Sequence, residues 1–319
     1  MVTFVEFEQG KGDIVFTGFV QDESDINGFS RKKVAAAIAD RAKEPFKINQ
    51  ANAPLCGPAA FMYCVASHDP EAYKQYVVDL LTTGEGRLGG LHVKPGADCR
   101  RANLPKTSGF INPVDWVALA SLRDSSNQFL DMNSVASSAA GITLPSQMEE
   151  WFNATGWFTG GGVCNDTNLV ISKGLNNLLN ASALYKCGEF VCLFIVAQIL
   201  NGPGIEKVLM PGVPKTVPGT PNHWVVLDSS VTIDNQPAPF PGCSSLNLSA
   251  PPPNSTAKNA PNSLPPVPAT ASAEELKTKR VTFNIYTWGE RHRPVTRKYP
   301  DLILGAFLHC YYGFVSAGR

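Results

Sequence analysis

A cysteine that opens an apolar stretch, a glutamine six residues before it and a distant histidine heading a β-branched run are the residues of this chain with the clearest chemistry. The cysteine is Cys56, in Gln50-Ala51-Asn52-Ala53-Pro54-Leu55-Cys56-Gly57-Pro58-Ala59-Ala60-Phe61. The histidine is His223, in His223-Trp224-Val225-Val226-Leu227. A thiol with an ordinary pKa near ~8.5 is mostly protonated at neutral pH. It becomes a nucleophile when its thiolate is favoured by the positive end of a helix or by a neighbouring cation such as an imidazolium. Cys56 sits where a helix should start, and His223 is the candidate imidazole. Gln50 has side-chain N–H groups to offer a developing oxyanion beside the backbone N–H of Cys56. Together these groups suit acyl transfer through sulfur. Taken singly, each has a plainer reading: a buried core thiol, a hydrogen-bonded strand histidine, a loop glutamine. Only the spacing joins them. His68, His92, His292 and His309 are weaker rivals to His223, because they lie on a helix, in apolar stretches or in a basic loop.

The elements that must hold these residues are legible around them. Cys-Gly-Pro predicts a helix entry, because Pro58 is tolerated in a first turn. Ala59 to Ala66 is apolar on all sides, which predicts a buried helix. Asp69-Pro70-Glu71 caps a second helix that Gly84 stops, and Asn112-Pro113 starts another carrying Trp116, Leu119 and Leu122. Residues 31 to 43, 144 to 152 and 169 to 184 are further helix candidates. Residues 2 to 20 read as a strand hairpin about Gln9-Gly10-Lys11-Gly12-Asp13, and 189 to 196, 223 to 227 and 281 to 286 read as strands. Helices first and strands later predict an α+β chain, taken as a single domain over 1–319. Residues 236 to 273 are rich in Pro, Ser, Asn and Ala, cannot bury a core and are expected as a surface insertion open to partner docking.

Composition excludes several classes. Lys+Arg and Asp+Glu are both 27, so the chain has no bulk charge for binding nucleic acid or anionic membranes. The basic run Arg291-His292-Arg293 with Arg297 and Lys298 reads as a solvated loop. The 8 cysteines include no Cys-x-x-Cys pair, so neither a zinc ribbon nor a redox pair is indicated and no cofactor is expected. No signal peptide and no membrane span are read, which sets the expectation of a soluble protein made in the cytoplasm, with export by a non-classical route left open. The Asn-x-Ser/Thr sites, Asn153 among them, are read as incidental. Gly84-Glu85-Gly86-Arg87-Leu88-Gly89 matches a dinucleotide fingerprint in letters only, since it follows a helix rather than a strand.

The segment Gln50 to Gly57 resembles the papain-like (clan CA) cysteine peptidases, in which an oxyanion glutamine lies six residues before the nucleophile at the start of a central helix. The resemblance implies a papain-like fold, with that helix buried and packed on an antiparallel sheet whose strand begins with the histidine. In that group the next strand ends in Asn-Ser-Trp-Gly, and its Asn orients the histidine. Here the run is Tyr286-Thr287-Trp288-Gly289, which keeps Trp and Gly but has Tyr286 where Asn is expected. Asp234, Asn284 or no third member are the alternatives, and Asp228 ranks last because it lies on the opposite strand face from His223. The resemblance is confined to these motifs. Residues 58 to 185 have no papain counterpart and are closer in style to papain-fold effectors and toxins of bacteria.

The expectation is a Cys-His hydrolase of peptide or isopeptide bonds acting on a protein or peptide substrate, with Cys56, His223 and Gln50 as its catalytic set. The same machinery serves glutamine deamidation, transglutamination or cell-wall amide cleavage. A catalytically silent papain-like binding module is the non-enzymatic alternative.

Overall fold

A computed structural model describes residues 1–16, 30–102, 111–126, 143–201, 221–238, 273–296 and 301–318. The chain is α+β, and it divides into two compact units. The first comprises Met1–Trp157 with Thr287–Glu290, and the second Phe158–Tyr286 with Arg291–Arg319.

The first unit is mainly helical. Its elements are α1 (Phe4–Glu8), α2 (Arg31–Lys43), a 3-10 turn (Pro45–Lys47), α3 (Cys56–His68), α4 (Pro70–Thr83), the strands β1 (Gly86–Leu88) and β2 (Leu91–Val93), α5 (Ala97–Arg101), α6 (Pro113–Ser125) and α7 (Pro145–Thr155). Helix α3 is its axis. Every residue from Cys56 to Ala66 is buried, as its all-round apolar sequence requires. Helices α2, α4, α6 and α7 pack against it. Phe61 meets Phe152 edge-on at 5.0 Å and Trp151 at 5.6 Å. Burying side chains such as Phe61, Met62 and Val65 is worth about 1.5–3 kcal/mol each. The flanking helices are held at their ends by the expected caps. Asp69 Oδ1 accepts from the N–H of Glu71 at 3.1 Å and of Ala72 at 2.9 Å, and Gly84 closes α4 at φ 81°. Asn112 Oδ1 accepts from Val114 N–H at 3.0 Å.

The second unit is built on a six-stranded sheet. Its elements are β3 (Val163–Thr167), α8 (Leu175–Lys186), β4 (Phe190–Ile195), α9 (Gln198–Asn201), β5 (His223–Leu227), β6 (Thr232–Ile233), β7 (Gln236–Pro237), α10 (Ala273–Lys277), β8 (Val281–Thr282), β9 (Asn284–Thr287), β10 (Glu290–Pro294), α11 (Leu304–His309) and β11 (Tyr311–Ala317). The large sheet has the order β10-β9-β5-β4-β11-β3, with β11 antiparallel to β3 and β4, β4 to β5 and β5 to β9. Strands β4, β5 and β11 are buried at every position, which suits their near-continuous apolar sequences. Helix α8 packs on β4 and β11. A small sheet has the order β7-β6-β8.

Two sequence expectations need correction. Residues 4–8 form α1 rather than a hairpin arm, because Thr3 and Glu6 make a capping box: Glu6 N–H donates to Thr3 Oγ1 at 3.2 Å and Thr3 N–H to Glu6 Oε2 at 3.1 Å. The second arm runs into residues 17–29, which lie outside the described residues. The run 281–286 is two strands, β8 in the small sheet and β9 in the large one, divided at Phe283. Cys187, at the C-cap of α8, is disulfide-bonded, whereas Cys56, Cys64, Cys99, Cys164, Cys192 and Cys310 are reduced. The insertion expected at 236–273 falls almost wholly outside the described residues, as do Arg297 and Lys298.

Candidate active site

Gln50 lies in the loop that delivers the chain into α3, and that loop is tightly bonded. Asn49 Oδ1 accepts from Ala51 N–H at 2.7 Å, with Ala51 in the left-handed region at φ 49°. Gln50 and Ala53 hold one another twice: Ala53 N–H donates to Gln50 O at 3.0 Å, and Gln50 Nε2 donates to Ala53 O at 3.0 Å. The Gln50 amide is buried, and its second N–H is left over after the bond to Ala53. The loop is anchored from below. Asn49 N–H donates to the carboxylate of Asp115, a fully buried residue of α6. Asp115 in turn takes Arg41 of α2 through Nε at 2.7 Å and Nη2 at 2.8 Å. Burial works against the Arg41 charge, but the Asp115 carboxylate outweighs it and holds the guanidinium above its ordinary pKa.

Cys56 is the first residue of α3 and is buried. The N-cap, Leu55, makes no side-chain cap hydrogen bond, so that side chain does not cover the first-turn N–H groups beside Cys56. The next residue must be glycine. A Cβ on Gly57 would lie 2.4 Å from Cβ of Thr143. A charged side chain that the motif did not include is buried in the same unit. Arg123 of α6 is buried, and burial depresses its guanidinium to about 10 while the negative charge of Cys56 opposes that depression.

Trp288 and Gly289, the motif residues on the other side of the sequence, form the two-residue turn between β9 and β10. Both have positive φ, 49° and 72°, as a type I′ hairpin turn demands. A Cβ on Gly289 would lie 2.7 Å from Nδ2 of Asn49, the residue before Gln50.

His223 belongs to the second unit. It heads β5, pairs with Ile195 of β4 and is buried. Its pKa is pushed down to about 3, first by burial and then by the cation of Arg293, the one buried residue of β10. The imidazole is therefore neutral at physiological pH. Strand register disposes of the candidate third members. Val226 pairs with Tyr286 and Leu227 with Ile285, and Asp228 N–H donates to Asn284 O at 2.8 Å. Paired residues share a sheet face, and faces alternate along a strand. Tyr286 and Asn284 thus lie on the opposite face from His223. Asn284 is also five residues along, roughly 16 Å away. Asp234 does not face His223 either. It sits in the turn between β6 and β7 at φ 49°, accepts from Arg280 N–H at 2.9 Å and lies 3.6 Å from Lys279 Nζ. Asp228 is taken up by His292, whose Nδ1 is 2.5 Å from Oδ2 and whose N–H donates to that oxygen at 2.9 Å.

The first unit therefore brings Gln50 and Cys56 onto one bonded segment, while His223 stands in the second unit with Arg293. Sequence reasoning missed Arg41, Asp115, Arg123 and Arg293. One signal was present: Trp116, Leu119 and Arg123 fall at i, i+3 and i+7, so Arg123 continues the buried stripe of α6. Among the described residues, no group of three or more His, Cys, Asp or Glu is arranged to hold a metal ion, and no helix is long and apolar enough to cross a membrane. Comparison with models of known protein families, with curated proteins and with solved structures finds no match.

Proposed function

We propose that the chain is a papain-like cysteine hydrolase that cleaves peptide or isopeptide bonds with Cys56 as nucleophile. The observation that carries this reading is local to α3. A thiol opens a fully buried helix whose start has no capping side chain, and a glutamine six residues earlier is fixed in place with one N–H to spare. A helical unit holding the nucleophile and a sheet unit whose strand begins with the histidine also suit that class. In this scheme neutral His223 takes the Cys56 proton as Sγ adds to the carbonyl carbon. The second Gln50 N–H and the Cys56 N–H receive the oxyanion. The C–N bond then breaks, the amine leaves with the proton from His223, and water cleaves the thioester by the same relay.

The test is intact-mass analysis of an unfolded protein substrate incubated with the chain and with Cys56→Ala and His223→Ala. Fragments that need both residues support hydrolysis. Cleavage by Cys56→Ala at the wild-type rate sinks it. A mass gain of one deamidation without fragments moves the reading to the deamidase alternative.

A second reading, a papain-like binding module without catalysis, is favoured by one observation. Neither Tyr286 nor Asn284 shares His223's face, so strand β9 presents neither of them to orient that histidine. In that case Cys56 would react with a thiol probe no faster than an ordinary thiol.

A further inference from the structure

We propose that the loop 168–172, between β3 and α8, is a membrane-contact tip that inserts aliphatic side chains into the surface of a phospholipid bilayer. The loop lies in the second unit, and its role is independent of the hydrolase reading. The helix expected over 169–184 starts only at Leu175. Leu169, Val170 and Ile171 are left ahead of it, 47%, 83% and 67% exposed. The other exposed large hydrophobic residues among the described residues, Met1, Val5 and Leu144, are scattered singly, which is ordinary for a protein surface. Three consecutive aliphatic residues in water are not. Val170, the middle one, is the most exposed, so the loop stands proud of the surface rather than lining a groove.

Both stems of the loop are pinned to the start of β11. Asn168 N–H donates to Tyr312 O at 2.8 Å, and Lys173 N–H donates to Tyr311 O at 2.7 Å. Asn168 Oδ1 then accepts from the N–H groups of Val170 and Ile171, each at 2.8 Å. That side chain competes with helix formation, and it gives both tip donors a partner inside the loop. A segment that enters hydrocarbon must satisfy its backbone groups internally, so these donors are already prepared for lipid. The run Asn168-Leu169-Val170-Ile171-Ser172 carries no charge. The charged residues that flank it, Asp166 and Lys173, lie 2.5 Å apart and offset one another. The patch is small and of the wrong type for a protein partner or a second copy. Its three side chains expose a few hundred Å², against roughly 800 Å² per partner in a stable protein interface. Binding hot spots are enriched in Trp, Tyr and Arg, and the run has none of them. A bilayer asks only for apolar area at its interface. With no charge on the tip, contact should need no anionic lipid.

The experiment is co-sedimentation of the full chain with sucrose-loaded vesicles of dioleoylphosphatidylcholine. Wild type is compared with Val170→Asp and with Val5→Asp, which puts the same charge on an exposed aliphatic residue of the first unit. Near-ultraviolet circular dichroism checks that each variant keeps the wild-type fold. Expected is pelleting of wild type and Val5→Asp, with the partition coefficient of Val170→Asp lower by about tenfold or more. Replacing about a third of the lipid by phosphatidylserine should change wild-type binding by less than about twofold. Failure of the wild type to pellet at millimolar lipid overturns the proposal, as does equal binding by folded Val170→Asp. If Val170→Asp does not fold, Ile171→Ser takes its place, and undiminished binding there overturns it. Binding that appears only with phosphatidylserine overturns it too, because charge rather than the aliphatic tip would then hold the bilayer. Sedimentation equilibrium without vesicles covers the remaining occupant. A wild-type dimer that Val170→Asp dissolves, without vesicle binding, gives the tip to a second copy and overturns the membrane assignment.

Discussion

Replacing Asp115 by Asn should both destabilise the first unit and loosen the loop that holds Gln50. The Arg41 side chain is 9% exposed and that of Asp115 is 0% exposed, with two charge-assisted bonds of 2.7 and 2.8 Å between them. Removing the carboxylate leaves a buried guanidinium without its counter-charge, which costs about 3–5 kcal/mol. At about 2–4 °C per kcal/mol for a domain of this size, the melting temperature should drop by roughly 6–20 °C. Arg41→Met with Asp115→Leu removes both charges and should recover most of that loss, since well-packed apolar pairs commonly match buried ion pairs. Recovery of function should not follow. The double variant still lacks the acceptor for Asn49 N–H, so the loop before Gln50 loses one anchor while its bonds to Ala53 remain, and under the proposed hydrolase scheme peptide cleavage should fall by up to about 10²–10³, the cost of losing one oxyanion donor outright. The assay is a thermal melt by near-ultraviolet circular dichroism beside kcat on a peptide substrate. A melting shift under about 3 °C for Asp115→Asn, or full cleavage in the double variant, would refute the reasoning.

Two pH dependences follow from buried groups. His223 has a folded pKa of about 3 against an unfolded value of about 6.5, so the unfolded chain binds the proton first and stability falls as pH drops from about 6.5 towards 3. Chemical denaturation should show His223→Asn gaining about 2 kcal/mol on wild type between pH 7 and pH 5; a constant difference would show that His223 titrates normally. Glu189 is shifted the other way. Burial raises its pKa to about 6, with Ser316 opposing, so the folded state favours the acid and loses stability as pH rises from about 4.5 through 6. Glu189→Gln should stabilise the protein by about 1–2 kcal/mol at pH 8 and by nothing at pH 4, measured by the same denaturation; equal effects at both pH values would remove burial as the cause.

Local rules made much of the helical unit legible. Pro58 and the apolar run after it mark α3, and Asp69-Pro70 with Gly84 brackets α4, because caps and periodicity act over a few residues. The same local logic failed at Phe4–Glu8. There, apolar alternation pointed to a strand while Thr3 and Glu6, three apart, bonded reciprocally and turned the chain into a helix. It failed again at Phe283, where one β-rich run serves two sheets, a choice made by partners distant in sequence. Within the candidate site, Gln50 and Cys56 could be found because they are near neighbours. The supports could not. Arg41 meets Asp115 across the α2–α6 packing, and a charged residue inside a helix reads as a surface position until that packing buries it. The neutrality of His223 was hidden for the same reason, since it depends first on the burial of β5 and then on Arg293 arriving on another strand.

The place of β11 in the large sheet sets an order of assembly. It is the last strand in sequence, yet it lies between β4 and β3, with Val315 opposite Cys192 on one side and Asn165 on the other. Among the described residues, strand β3 has no other neighbour in that sheet. On a ribosome, β3 and β4 therefore emerge long before the strand that joins them, and β4 presents an apolar edge while it waits. Such non-local closure is slow compared with the helical pairing of the first unit. The thiol of Cys56 would be folded into α3 while the sheet carrying His223 is still incomplete, so the nascent chain would pass through an interval with the proposed nucleophile buried and the strand of the proposed base not yet fully paired.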